Sequence, residues 1–134
     1  MTDALVAFLK ARLEDDERVA RAAGDGWYGY DPEQQIAFVP PEDSRHIARQ
    51  DPARTLREVE AKRAVLAAYC AAVSAREEAA RLVQKARTSG WDPIMAELEE
   101  ASAIHKRDAL HEVLRLLALP YSDHPGYEEA LAGG

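Results

Sequence analysis

Four histidines, one cysteine and a scatter of carboxylates are the side chains in this sequence with chemistry to offer. His105 and Asp108 stand three residues apart in a stretch of helical pattern, and His111 with Glu112 follows one turn on. A helix places such residues on one face, so they could give a divalent ion two ligands, with His46 or Glu58 as a third and His124 in reserve. No HExxH or comparable spacing is present, and the plainer expectation for His105 and His111 is partly exposed helix. Cys70, within Ala68-Tyr69-Cys70-Ala71, falls in an apolar seam, where burial leaves a thiol inert. No GxSxG elbow and no glycine-rich phosphate loop occurs. Trp27, Tyr28, Tyr30 and Phe38 could stack on bases or a peptide, but they lack basic neighbours, which favours a core or dimer contact. Arg54, Glu58 and Lys62 form an i,i+4 ladder that pairs with itself. No catalytic residue and no cofactor are expected from these patterns.

The elements that must position these residues can be read from punctuation and period. Two dipeptides, Asp51-Pro52 and Asp92-Pro93, mark helix starts: Asp accepts a backbone N–H at the N-cap, and Pro has no N–H to lose in the first turn. Residues 53–87 run without Gly or Pro, and Thr88-Ser89-Gly90-Trp91 separates them from the second start. The pattern predicts two long helices, 52–88 and 93–119, folded back as an antiparallel hairpin. Leu56, Val59, Leu66, Cys70, Val73, Ala80 and Val83 form a heptad-like seam beside the alanine row Ala64, Ala68, Ala72, Ala75, Ala79. The second helix loses phase near Lys106-Arg107, where a bend is expected, with Asp108 as the cap of a second half.

Residues 1–23 read as an amphipathic helix capped by Thr2, with Asp3 at the positive end of the dipole and Leu5, Phe8, Leu9, Leu13 and Ala20 mostly on one face. Arg12 with Asp16 and Glu14 with Arg18 are expected to pair on the wetter side. Residues 27–39 are aromatic and β-branched around Asp31-Pro32, which predicts a small β-hairpin. A short helix over 44–50 follows, and 120–134 reads as a turn-rich tail. Within the hairpin, Arg81, Lys85 and Arg87 are expected near Glu97, Glu99 and Glu100, and Glu77 and Glu78 near Lys106 and Arg107.

Length and composition bound the rest. At 134 residues with 47% hydrophobic and 31% charged side chains, a single domain is expected. A net charge of −7 disfavours nucleic acid as a partner, since phosphate neutralisation needs a basic face. No apolar run approaches a membrane span, and the N-terminus lacks a signal-peptide pattern. With one cysteine there is no disulfide framework, which suits the cytoplasm. A helix of about 36 residues is ~54 Å long at 1.5 Å per residue, against a radius of gyration of about 14 Å for a domain of this size. Either it breaks near Ser74 or a second chain covers its seam; the second chain is the expectation.

Two segments carry a resemblance. One is His46-Ile47-Ala48-Arg49-Gln50-Asp51-Pro52-Ala53-Arg54, continuing Leu56-Arg57-Glu58-Val59-Glu60-Ala61-Lys62-Arg63. The other is Leu114-Arg115-Leu116-Leu117-Ala118-Leu119-Pro120-Tyr121-Ser122-Asp123-His124-Pro125-Gly126-Tyr127. With Leu5-Val6-Ala7-Phe8-Leu9 and Glu14-Asp15-Asp16-Glu17, they resemble a family of short proteins, a domain of unknown function, from high-GC Gram-positive bacteria and their phages. The resemblance implies a Cys- and His-containing insert, and hence zinc, in many members; here 71–107 is helical in pattern and has no cysteine. The polar content of the two motifs marks His46, Arg49, Asp51, Arg54, Glu58, Tyr121, Asp123 and His124 as the candidate binding residues. The expected protein is mainly α, non-enzymatic, dimeric and protein-binding; the alternative is a metal-dependent enzyme or metal-binding regulator built on a His/Glu/Asp cluster.

Overall fold

The computed structural model describes residues 3–23, 46, 47 and 49–133. They form α1 (Ala4–Ala22), α2 (Pro52–Thr88), α3 (Ile94–Ala118), a 3-10 turn (Leu119–Tyr121) and α4 (Tyr127–Ala132). His46, Ile47 and Arg49 are also helical. No strand occurs among the described residues, so the expected small β-hairpin is corrected: the described architecture is helical throughout, and the 27–39 segment lies outside the described residues. The physical reason is that an isolated two-stranded hairpin is marginal and needs a packing face, whereas each helix here satisfies its backbone internally and spends its apolar face on the cores described below.

The chain divides into two compact units, one of Met1–Leu9 with Ala64–Gly134 and one of Lys10–Arg63. Helices α1 and α2 each contribute to both. In the first unit the core consists of Leu5, Val6 and Leu9 of α1, Leu66, Tyr69, Ala72, Ala79, Val83 and Ala86 of α2, Leu114 and Ala118 of α3, and Tyr127 and Ala130 of α4. In the second it includes Leu13, Ala20 and Val59. Leu5, Leu9 and Leu13 repeat every four residues and are each only 1% exposed, which fixes the buried face of α1.

Local chemistry explains the helix ends. Asp3 caps α1: its Oδ1 accepts the Leu5 N–H at 2.9 Å and the Val6 N–H at 3.4 Å, while Thr2, the expected cap, lies outside the described residues. At Asp51-Pro52 the Asp51 carboxylate accepts the Arg54 N–H at 2.7 Å and Pro52 opens α2. The second start is offset by one residue: Asp92 Oδ1 accepts the Ile94 N–H at 3.0 Å, and Pro93 is the cap of α3. Helix α2 ends where Gly90 takes φ +72. The Trp91 N–H then donates to the Ala86 carbonyl at 3.0 Å, the 6→1 bond of a Schellman stop.

Helix α2 runs unbroken past Ser74, so the alternative of a break there is not taken, and α3 runs unbroken past Lys106 and Arg107, with no second helix start at Asp108. The buried face of α2 keeps Val59, Leu66 and Val83 of the expected seam and is otherwise shifted from it. Tyr69, Ala72 and Ala79 are inside, and Cys70 is exposed. The hairpin is antiparallel: Arg87 pairs with Glu97 at 2.6 Å beside the turn, and further from it the Tyr69 and His111 rings lie 5.7 Å apart. The Arg87–Glu97 pair is the expected one. Arg81 instead pairs with Glu78, and Arg107 with Asp108, along their own helices. On α1 Asp15 meets Arg12 at 3.0 Å and Arg18 at 2.6 Å.

The segment expected as a tail folds instead. The 3-10 turn and α4 gather around Phe8, whose ring lies edge-on to Tyr121 at 6.4 Å, His124 at 5.4 Å and Tyr127 at 6.3 Å.

Candidate functional site

The candidate residues of the first motif are assembled within the Lys10–Arg63 unit. Arg54 reaches forward to Glu58 at 2.8 Å and back to the Arg49 carbonyl at 3.3 Å, while its own N–H is held by Asp51. This cluster builds the start of α2, so Arg49, Asp51, Arg54 and Glu58 are occupied with one another. The His46 carbonyl accepts the Gln50 N–H at 3.2 Å, and the residue is exposed. Two open clefts lie in this unit. One, of about 280 Å³, has Val19, Ala20, Ala23 and Pro52 as its apolar lining, with Asp15, Asp16, Gln50 and Thr55 as its polar lining. The other is bordered by Glu17, Arg21 and Arg63, where one carboxylate serves two guanidinium groups: Glu17 meets Arg21 at 2.7 Å and Arg63 at 2.6 Å. Hydrogen bonds from Arg21 and Arg63 hold the Glu17 carboxyl below the usual carboxylate range.

The candidates of the second motif belong to the other unit. Tyr121 and His124 flank Phe8, and His124 Nδ1 accepts the Gly126 N–H at 3.0 Å, just ahead of α4. Asp123 is exposed. The arrangement docks the C-terminal helix. Each half of the candidate set therefore has a local structural task.

One polar cluster was missed by sequence reasoning. Tyr69, 5% exposed, donates its hydroxyl to Asp3 Oδ2 at 2.7 Å, and His111 Nε2 lies 3.8 Å from the same oxygen. Burial, then the bond to Asp3, pushes the phenol up to about 12. A tyrosine held neutral at that level is neither a base nor a nucleophile near neutral pH. The cluster is a tie between the cap of α1 and the helical hairpin. Nothing in the local spacing of Asp3 and Tyr69 could have announced it, since 66 residues separate them.

Metal chemistry requires at least three convergent ligands. Among the described residues no group of three His, Cys, Asp or Glu side chains is placed to hold an ion. His105 is exposed, and His111 faces Asp3 and Tyr69.

The conspicuous surface feature is apolar. At the turn of the hairpin Trp91, Ile94, Met95 and Leu98 are 66%, 58%, 70% and 60% exposed, and Leu82 of α2 is 40% exposed. Isolated exposed apolar residues are ordinary; several together mark a contact surface. Between α2 and α3 beside them lies an open groove of about 300 Å³, lined by Leu82, Ala86, Trp91, Met95 and Ala96 and edged by Lys85, Asp92 and Glu99. No helix among the described residues is long and apolar enough to cross a membrane.

A family model described as a family of unknown function (DUF6221) matches residues 2–132. No curated protein and no solved structure matches the chain.

Proposed function

The chain belongs to the DUF6221 family, whose function is unknown, and on that footing we propose that it is a non-enzymatic helical protein that self-associates as a dimer and acts by binding another protein. The observation that supports this is the run of large apolar side chains left in water at the hairpin turn, four of them within the eight residues from Trp91 to Leu98. Each costs free energy while exposed, about 1.5–3 kcal/mol for a large side chain relative to full burial. An apolar surface of this kind gains stability from a protein contact. The candidate polar residues support the same reading, because their hydrogen bonds and ion pairs are spent on helix starts and helix docking.

The single cysteine, exposed and unbridged, suits a reducing cytoplasm. The motif resemblance supports a setting in high-GC Gram-positive bacteria or their phages. Sedimentation equilibrium of the purified chain tests the association, and a pull-down from the native host with and without Trp91→Ser tests the protein partner. A monomer that retains no protein in a Trp91-dependent way would contradict both halves of the proposal.

A further inference from the structure

We propose that the groove between α2 and α3 beside the Gly90 turn is the seat of a second copy of this chain, packed face to face about a two-fold axis with Lys85 of each copy against Glu99 of the other. This rests on the self-association proposed above and adds its face and its register.

Three features of the groove select this occupant. Ala86 and Ala96 line it, and such short side chains let an incoming helix or ridge come close to the backbone. Leu82, Trp91 and Met95 stand around them as apolar walls. A specific interface buries about 800 Å² per partner, and one tryptophan supplies ~150–250 Å² of that, so Trp91 with Leu82 and Met95 makes a substantial share of an interface core.

The third feature is charge. Lys85 stands on the α2 edge of the groove, and Asp92 and Glu99 on the opposite edge. Among the described residues neither Lys85 nor Glu99 enters an ion pair; the basic group that does pair across the turn is Arg87, with Glu97. An occupant that brings a carboxylate to Lys85 and a cation to Glu99, with apolar side chains between them, complements this groove. A second copy of the same face carries that set. A two-fold axis places residue i on j and j on i, so a surface with one positive and one negative edge is its own complement.

Charge reversal with mixing separates this contact from any contact within one chain. Lys85→Glu and Glu99→Lys, each alone, place like charges together at both ends of a homodimer and should weaken association at least tenfold. An equimolar mixture of the two variants restores both ion pairs in the heterodimer and should return association to near the wild-type level. Met95→Asp should give a monomer of unchanged helicity by circular dichroism. If the wild type associates and all three variants associate equally well, the interface lies elsewhere and the groove assignment is overturned while self-association stands. Failure of the mixture to restore what the single variants lose would overturn the Lys85–Glu99 register. A monomeric wild type would overturn the proposal together with the self-association it rests on, and leave the groove to a different protein.

Discussion

The Tyr69 hydroxyl donates to the Asp3 carboxylate at 2.7 Å, joining the cap of α1 to the middle of α2. The same carboxylate holds the Leu5 and Val6 N–H groups, so one side chain both starts a helix and fastens it. Removing the hydroxyl by Tyr69→Phe should cost about 1.5–3 kcal/mol, the range for a bond to a charged acceptor. The pH dependence carries the clearer signature. The phenol is raised above its ordinary value near 10, so the folded state holds the proton more tightly than the unfolded one. Its contribution is complete below about pH 10 and is lost as pH rises through about 12. Urea midpoints at pH 8 and pH 11 should fall less in Tyr69→Phe than in the wild type; parallel falls would show that Tyr69 does not titrate in this way.

Glu17 has the opposite sign. Arg21 and Arg63 lower its carboxyl in the folded state. The stability it adds is present above the ordinary carboxylate range and is lost as pH falls through the lowered value. Because the group is at the surface, the effect is small and salt-sensitive. Glu17→Gln should flatten the acid limb of the stability curve between pH 5 and pH 3 and reduce its dependence on salt. An unchanged acid limb would remove the pair with Arg63 from the stabilising set.

Gly90 has nothing within 4 Å of where a Cβ would stand, yet its φ of +72 penalises any L side chain. Gly90→Ala should destabilise by about 1–2 kcal/mol through backbone conformation alone, with Gly90→Asn less costly. Thermal denaturation of the two variants distinguishes this from crowding: a steric cause would make Asn the worse substitution.

Cys70 is exposed although it lies in an apolar stretch. A thiol-specific reagent should label it in the native protein at a rate near that of the urea-unfolded chain. Labelling slowed by orders of magnitude would place it inside, where the heptad pattern alone had put it.

The contrast between Tyr69 and Cys70 shows where sequence patterning is informative and where it fails. The starts at Asp51-Pro52 and Asp92-Pro93, the stop at Gly90 and the fold-back were legible, because caps and breakers act within one turn of helix. The uneven charge gave the Arg87–Glu97 pair for the same reason: adjacency to a known turn fixes register nearby. Which face of α2 points inward was legible only in part: Val59, Leu66 and Val83 of the seam are buried, but Tyr69 is inside where Cys70 was expected. Over residues 64–75 apolar side chains surround the helix, neighbouring positions differ by only 100°, and Tyr69 is tied inward by its long-range bond to Asp3. The fold of 127–132 into α4 was hidden for a similar cause, since six residues make a helix only when something packs on them. Here that contact includes Phe8, met by Tyr127. Of the candidate site, the residue types were visible but their employment was not. Arg54 and Glu58 pair with each other, and His124 accepts from Gly126. The exposed turn at Trp91 and Met95 was in plain sequence view, but an apolar residue beside a glycine does not reveal whether it is covered.

Self-association through the hairpin end is tested most directly by the solution mass of the unmodified chain. Light scattering at micromolar concentration should return about twice the 14.8 kDa of one chain. A clean 14.8 kDa monomer over the same range would contradict it.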